Sequence, residues 1–186
     1  RDCAALCVYF ARGAKRAVVE CQFTGAHSSA AFLRTGTAPT FRDCRWHDNP
    51  SNAILLRGSR ATFVNCAVVG GEKPSVSVMD GSDPIFRECR IEQGAETKRQ
   101  TNALQIVESR SVYEKCEFLT HNIGLSVTRE SSPIFRDCTV TQNEDGLIIE
   151  TQSKGVFEQC TFRDNKENVW AITGSAPRLL NCTIAG

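Results

Sequence analysis

The chain reads as an all-β solenoid, a parallel β-helix of about eight coils with roughly 22 residues per coil, on three observations. Cysteine recurs at Cys21, Cys44, Cys66, Cys89, Cys116, Cys138, Cys160 and Cys182, at intervals of 23, 22, 23, 27, 22, 22 and 22. A large apolar residue stands three positions before almost every one of these cysteines and another two positions after, as in Phe41–Cys44–Trp46 and Phe135–Cys138–Val140. Further along each repeat comes a second alternating apolar pair: Val76 and Val78, Leu104 and Ile106, Leu125 and Val127, Leu147 and Ile149.

Each element of the repeat follows from these positions. Side chains in a strand alternate with period two, yet the apolar residue at minus three and the cysteine at zero differ in parity, so the chain must turn a corner between them. The residues available for it are polar: Asp43, Asn65, Glu88, Lys115, Asp137, Gln159 and Asn181. After the cysteine strand comes a turn carrying Asn49, Gly71, Gly94, Asn143 or Asn165 at one matching position, residues that tolerate the left-handed conformation. Pro39, Pro84, Pro133 and Pro177 fall five residues before the cysteine, where a strand's first residue tolerates proline. The unit is therefore strand, turn, strand, turn, strand, corner. A helical or leucine-rich solenoid fits poorly, because no repeat carries an apolar stripe at helical spacing. Stacked about 4.8 Å apart, the coils make a rod on the order of 40 Å long. Residues 1–186 read as one domain, a piece of a longer chain or one whose ends stack on flanking domains or other copies.

The ten cysteines suggest bridges or metal, and the spacing argues against both. In-register side chains on parallel strands hold their Cβ atoms about 4.8 Å apart, whereas a disulfide wants roughly 3.8 Å. No Cys-x-x-Cys pair occurs, and His27, His47 and His121 fall in turns, away from the cysteine column. The cysteines read as small apolar corner residues, with no metal and no cofactor expected. So many free thiols point to a reducing compartment, cytoplasmic or nuclear. With 22 basic and 21 acidic residues, no nucleic-acid partner is expected, and no run of apolar residues is long enough for a membrane span.

Candidate contact residues come from irregularities. The repeat between Cys89 and Cys116 is longer than the others, and its charged turn contains Glu96, Lys98 and Arg99. Arg42, Arg87 and Arg136 recur at one position; beside them stand Asp43, Glu88 and Asp137, which would neutralise them as a ladder of exposed ion pairs. Most aromatic residues belong to the core, but Trp170 faces inward in one register and outward in the other.

The segments Gly124–Leu125–Ser126–Val127 through Ser132–Pro133–Ile134–Phe135–Arg136–Asp137–Cys138, and Asp145–Gly146–Leu147–Ile148–Ile149 through Cys160–Thr161–Phe162, carry a resemblance over nearly the whole chain. They resemble the right-handed parallel β-helix repeats of the pectin-lyase-like superfamily, in particular its carbohydrate-binding and sugar-hydrolase subgroup. That superfamily includes polysaccharide lyases and hydrolases as well as intracellular F-box receptors and SHC-binding proteins. The resemblance implies the fold. The Gly-His-Gly and Arg-Ile-Lys motifs of the polygalacturonase-type members are not in the sequence. The expectation is therefore a non-enzymatic intracellular module presenting a rigid face to a protein partner. A carbohydrate-binding or polysaccharide lyase-like domain is the alternative.

Overall fold

The computed structural model describes residues 7–11, 13–94 and 101–186. It is a parallel β-helix: 24 short strands form three eight-stranded sheets, and each coil gives one strand to each sheet. The first sheet runs from Val8–Phe10 to Glu167–Ala171, the second from Ala17–Val19 to Arg178–Leu180, and the third from Gln22–Phe23 to Thr183–Ala185. All pairing is parallel and in register from coil to coil, so that like positions stack: Phe63 lies on Phe86, Val76 on Leu104, and Ile91 on Phe118.

The core is a column built from those stacked positions. Phe41, Phe63, Phe86, Tyr113, Phe135 and Phe157 form a continuous ring stack with centroid spacings of 5.0, 4.4, 5.2, 4.5 and 4.9 Å. Trp46, Phe118 and Phe162 meet it edge-on from the third sheet. The apolar pairs of the first sheet close the remaining side, and Val76, Val78, Leu104, Ile106, Leu125, Val127, Leu147 and Ile149 are all fully buried. Each coil covers its neighbour's apolar face, which is how so thin a rod sustains a core.

Three polar or thiol columns line the three corners. At the corner before each cysteine the expected residues take the left-handed conformation, with φ of 55° at Asp43, 54° at Glu88, 54° at Lys115 and 53° at Asp137. The ladder continues through this bend, the Asp43 N–H donating to the Val64 carbonyl at 3.1 Å and the Arg45 N–H to the Cys21 carbonyl at 2.9 Å. Cys44, Cys66, Cys89, Cys116, Cys138 and Cys160 are buried just inside it, and all nine described cysteines are free. Each thiol donates to the carbonyl two residues back, as from Cys89 to Arg87 at 3.2 Å and from Cys138 to Arg136 at 3.3 Å. Burial pushes the Cys44 thiol up. Neighbouring thiols and burial together push up those of Cys66, Cys116 and Cys160. A negative charge forced into the column would settle on Cys89 or Cys138, each flanked by two S–H donors that are then held protonated. These are packing groups with little nucleophilic character. Cys3 lies outside the described residues, and Cys7 stands apart from the column, level with Ala30 at the entry to the first sheet.

The turn between third and first sheets corrects the sequence reading. Asn49, Asn143 and Asn165 do not take the left-handed conformation; the residues just before them do, Asp48 at 52°, Gln142 at 58° and Asp164 at 54°. The asparagines turn inward instead and form a buried amide ladder. Asn143 Oδ1 accepts from the His121 N–H at 3.0 Å, and Asn143 Nδ2 donates to the carbonyls of Phe118 and Thr141 at 3.2 and 2.9 Å. Asn165 repeats this, its Oδ1 accepting from the Asn143 N–H at 2.9 Å and its Nδ2 donating to the Val140 carbonyl at 2.9 Å. The physical need is to satisfy backbone groups at a buried bend where strand pairing lapses. A β-carbon on Gly146 would stand 3.0 Å from Asn165 Nδ2 and 2.5 Å from the Asn168 carbonyl, so the ladder also dictates that glycine.

The third column is a hydroxyl ladder between first and second sheets: Thr37, Ser59, Ser82, Ser109, Ser131 and Ser153, all buried. Here the side chain of one coil serves the backbone of the coil before, the Ser109 N–H donating to Ser131 Oγ and the Ser131 N–H to Ser153 Oγ, each at 3.2 Å. The prolines sit two residues further on, immediately before the strands that begin at Thr40, Ile85, Ile134 and Arg178.

Tyr113 is the one phenol in the phenylalanine stack, and its coil places Ser111 where others hold arginine, proline, alanine or glycine. Both hydroxyls are buried without a well-formed hydrogen bond, and burial pushes the phenol well above its ordinary range while the Ser111 hydroxyl opposes the shift. Tyr113→Phe is accordingly expected to leave stability unchanged or raise it by about 1 kcal/mol, since a buried hydroxyl without good partners is a net cost. Urea denaturation of the two proteins checks this, and a loss of more than about 1 kcal/mol would show that the hydroxyl pair is bonded.

Candidate interaction surface

With the interior filled, any function lies on the outer faces. On the second sheet two outward rows run side by side. One contains Ile85, Val112, Ile134 and Val156, stacked in register and half-buried. The other contains Arg42, Val64, Arg87, Glu114, Arg136 and Glu158. Arg87 Nε meets Glu114 at 2.7 Å, Arg136 Nη1 meets Glu114 at 3.7 Å, and Arg136 Nε meets Glu158 at 2.8 Å. Arg87 and Arg136 are neutralised by acids on neighbouring coils, not by the adjacent Glu88 and Asp137, and Asp43 does not pair with Arg42. Those acids occupy the left-handed corner and form no ion pair with the arginines beside them among the described residues. Arg42 stacks on Val64 and forms no ion pair among the described residues. Such exposed pairs are worth little singly, but in a row they hold long side chains in fixed places.

The structure settles the orientation of Trp170. Leu147 pairs with Val169 and Ile148 with Trp170, so Val169 continues the inward column and Trp170 stands outside, 48% exposed. Glu96, Lys98 and Arg99 lie outside the described residues. Trp170 and the arginine row therefore occupy different sheets and do not form one site.

On the third sheet Arg90 bridges Glu92 at 3.0 Å and Glu117 at 2.5 Å, while His47 Nδ1 lies 2.7 Å from Asp48. A concavity of about 330 Å³ on the turn between first and second sheets is lined by Arg60, Arg110, Asp83, Glu108 and Glu130 among others, charges of both signs. Among the described residues no three of His, Cys, Asp and Glu converge as a metal set.

One pair has the look of chemistry. Ser75 Oγ lies 2.9 Å from His121 Nε2, and His121 Nδ1–H donates to the Leu119 carbonyl at 2.7 Å. This is a nucleophile–base contact in form. Ser75 is wholly buried and His121 4% exposed, so no substrate reaches either. His121 occupies the asparagine position of its own coil and reaches past Gly94 to a serine two coils away. The contact stands in for the amide ladder where Gly71 and Gly94 interrupt it. Nothing in the sequence flagged the pair, because its members are 46 residues apart.

No curated protein matches the chain. A family model described as right handed beta helix region matches residues 1–98 and again residues 97–186, together spanning the sequence. Parallel pairing in three sheets, coils of about 22 residues and two end-to-end matches to that model place the chain in the right-handed β-helix family.

Proposed function

We propose that this β-helix is a non-enzymatic module that presents a rigid face to a protein partner, in a reducing compartment. The observation that carries this reading is the outer face of the second sheet. There a ridge of β-branched side chains, Ile85, Val112, Ile134 and Val156, runs beside a charge row pinned by ion pairs across coils. An apolar strip with an ordered polar margin is the anatomy of a protein contact, and a partner docking here meets side chains already held in place. Nine free, mostly buried thiols fit the reducing compartment.

The test compares proteins captured by the wild type with those captured by a Val112→Glu/Ile134→Glu variant whose circular dichroism is unchanged. Partners that bind the wild type saturably and are lost from the variant support the proposal. An identical partner set, or turnover of a polysaccharide by the wild type, overturns it.

A second reading is carbohydrate binding, favoured by the exposed Trp170 beside Ile148. Saturable binding on a glycan array, abolished by Trp170→Ala, would promote it over the first.

A further inference from the structure

The outer face of the first sheet differs in kind from the other two because its charge is segregated along the rod. Its central outward row is set by strand register: Tyr9, Phe32 and Leu55 on the first three coils, Ser77, Gln105 and Ser126 in the middle, Ile148 and Trp170 at the far end. Two residues further along each strand direction stand Arg34 and Arg57 at the near end, uncharged Met79, Val107 and Thr128 in the middle, and Glu150 at the far end. On the entry side of the last two coils are Asp145 and Glu167, in register with each other. The strand rows thus have two cations at one end, Arg34 and an Arg57 that lies 3.6 Å from Asp80 of the next coil, and three acids at the other, where Lys166 precedes Glu167. The Asp145 carboxyl is pushed up by partial burial and by Glu144 and Glu167, while Lys166, which bridges Glu144 at 2.8 Å, opposes the shift.

We propose that this face binds a second copy of the same chain, two rods packing antiparallel through their first sheets about a two-fold axis between the fourth and fifth coils. Such an axis sets coil one against coil eight and coil two against coil seven. Arg34 then meets Glu150 of the other copy, Phe32 meets Ile148, and Tyr9, 48% exposed, meets Trp170. At the centre Met79 meets Val107 and Ser77 meets Gln105, small or uncharged groups where the two sheets come closest. Every such contact occurs twice, as an isologous interface requires. The parallel arrangement would set each coil on its like, gathering Arg34 and Arg57 of both copies at one end and Asp145, Glu150 and Glu167 of both at the other, so the charges choose the direction as well as the face.

Size sets the strength. At ~3.3 Å per residue and ~4.8 Å per strand the face is about 15 Å by about 38 Å, roughly 600 Å² on each copy. A total of roughly 1,200 Å² is the lower edge of stable interfaces, so the dimer is reversible and weakened by salt. This inference is independent of the second-sheet reading above and uses none of its residues.

Sedimentation of the purified chain over a concentration series tests it. The expected result is a reversible shift from 20.5 kDa to twice that mass. Arg34→Glu and Glu150→Arg should each loosen the dimer about tenfold or more, while the double swap, which restores the pair across the axis, should return it to within about threefold of wild type. Arg45→Glu on the third sheet should leave the sedimentation series unchanged. A chain that stays monomeric at every concentration overturns the proposal, as does a dimer indifferent to the single swaps, a double swap as weak as either single, or a dimer lost with Arg45→Glu. Circular dichroism of each variant establishes that the fold is retained.

Discussion

Asn143→Ala is expected to destabilise the middle of the rod by about 3 kcal/mol, more than any surface change. The side chain satisfies both sides of a buried bend: its oxygen accepts the His121 N–H, and its two amide hydrogens serve the carbonyls of Phe118 and Thr141, with Asn165 Oδ1 also 3.0 Å from the nitrogen. Truncation orphans the His121 N–H and takes an amide bond from each of two carbonyls in a place that is 5% exposed. Each orphan costs about 1–3 kcal/mol, less whatever an entering water recovers. Asn143→Asp should be at least as damaging, because a carboxylate keeps the acceptor but sets a buried charge against the same two carbonyls. Because a solenoid need not unfold in one step, the loss is best read locally, by hydrogen exchange at the His121 amide and its neighbours, alongside urea denaturation. A change below about 1 kcal/mol in both would mean that the ladder is decorative and that water serves the bend equally well.

That ladder also marks the boundary of what the sequence made legible. The cysteine period and the parity break between positions minus three and zero sufficed for the corner, since only one place between Phe41 and Cys44 can bend, and Asp43 occupies it. The asparagine turn was misread because asparagine suits two different jobs. Its short amide tolerates a left-handed backbone and equally well caps buried backbone groups, and nothing local distinguishes the two. The left-handed residue before His121 is Thr120, with φ of 61°, a β-branched side chain that propensity would rank last for that conformation. The hydroxyl ladder was findable: Thr37, Ser59, Ser82, Ser109, Ser131 and Ser153 all fall seven residues before a cysteine. Ion-pair partners were not, because Arg87 has Glu88 as its sequence neighbour while Glu114, a whole coil away, is its neighbour in space. Trp170 needed the register itself. One residue of slip exchanges inside for outside, and only the pairing of Val169 with Leu147 decides it.

The second large effect is acid sensitivity at His121. Burial holds its pKa down to about 4 from 6.5, with the hydrogen bond to the Leu119 carbonyl acting in the opposite direction. The native state therefore keeps the ring neutral, Nδ1–H on Leu119 and Nε2 accepting from Ser75. As pH falls from 6.5 toward 4 the unfolded chain takes up a proton that the native chain refuses, so stability falls through that window and the contribution levels off below about 4, where both states are protonated. The full loss is about 3 kcal/mol at 1.36 kcal/mol per pH unit of difference. His121→Asn should remove this slope, because asparagine is the residue that the same column uses in Asn49, Asn143 and Asn165. The variant gives up the contact with Ser75 and should be somewhat less stable at neutral pH, but its stability should be nearly flat where the wild type declines. Urea denaturation of both proteins across the window, together with NMR titration of the imidazole, provides the check. Parallel slopes for the two proteins, or a ring that titrates near 6.5, would place the acid response elsewhere. If the slopes diverge as expected, the sealed serine–histidine contact is what stabilises the coils where the amide ladder is interrupted, and its chemistry is spent on the fold.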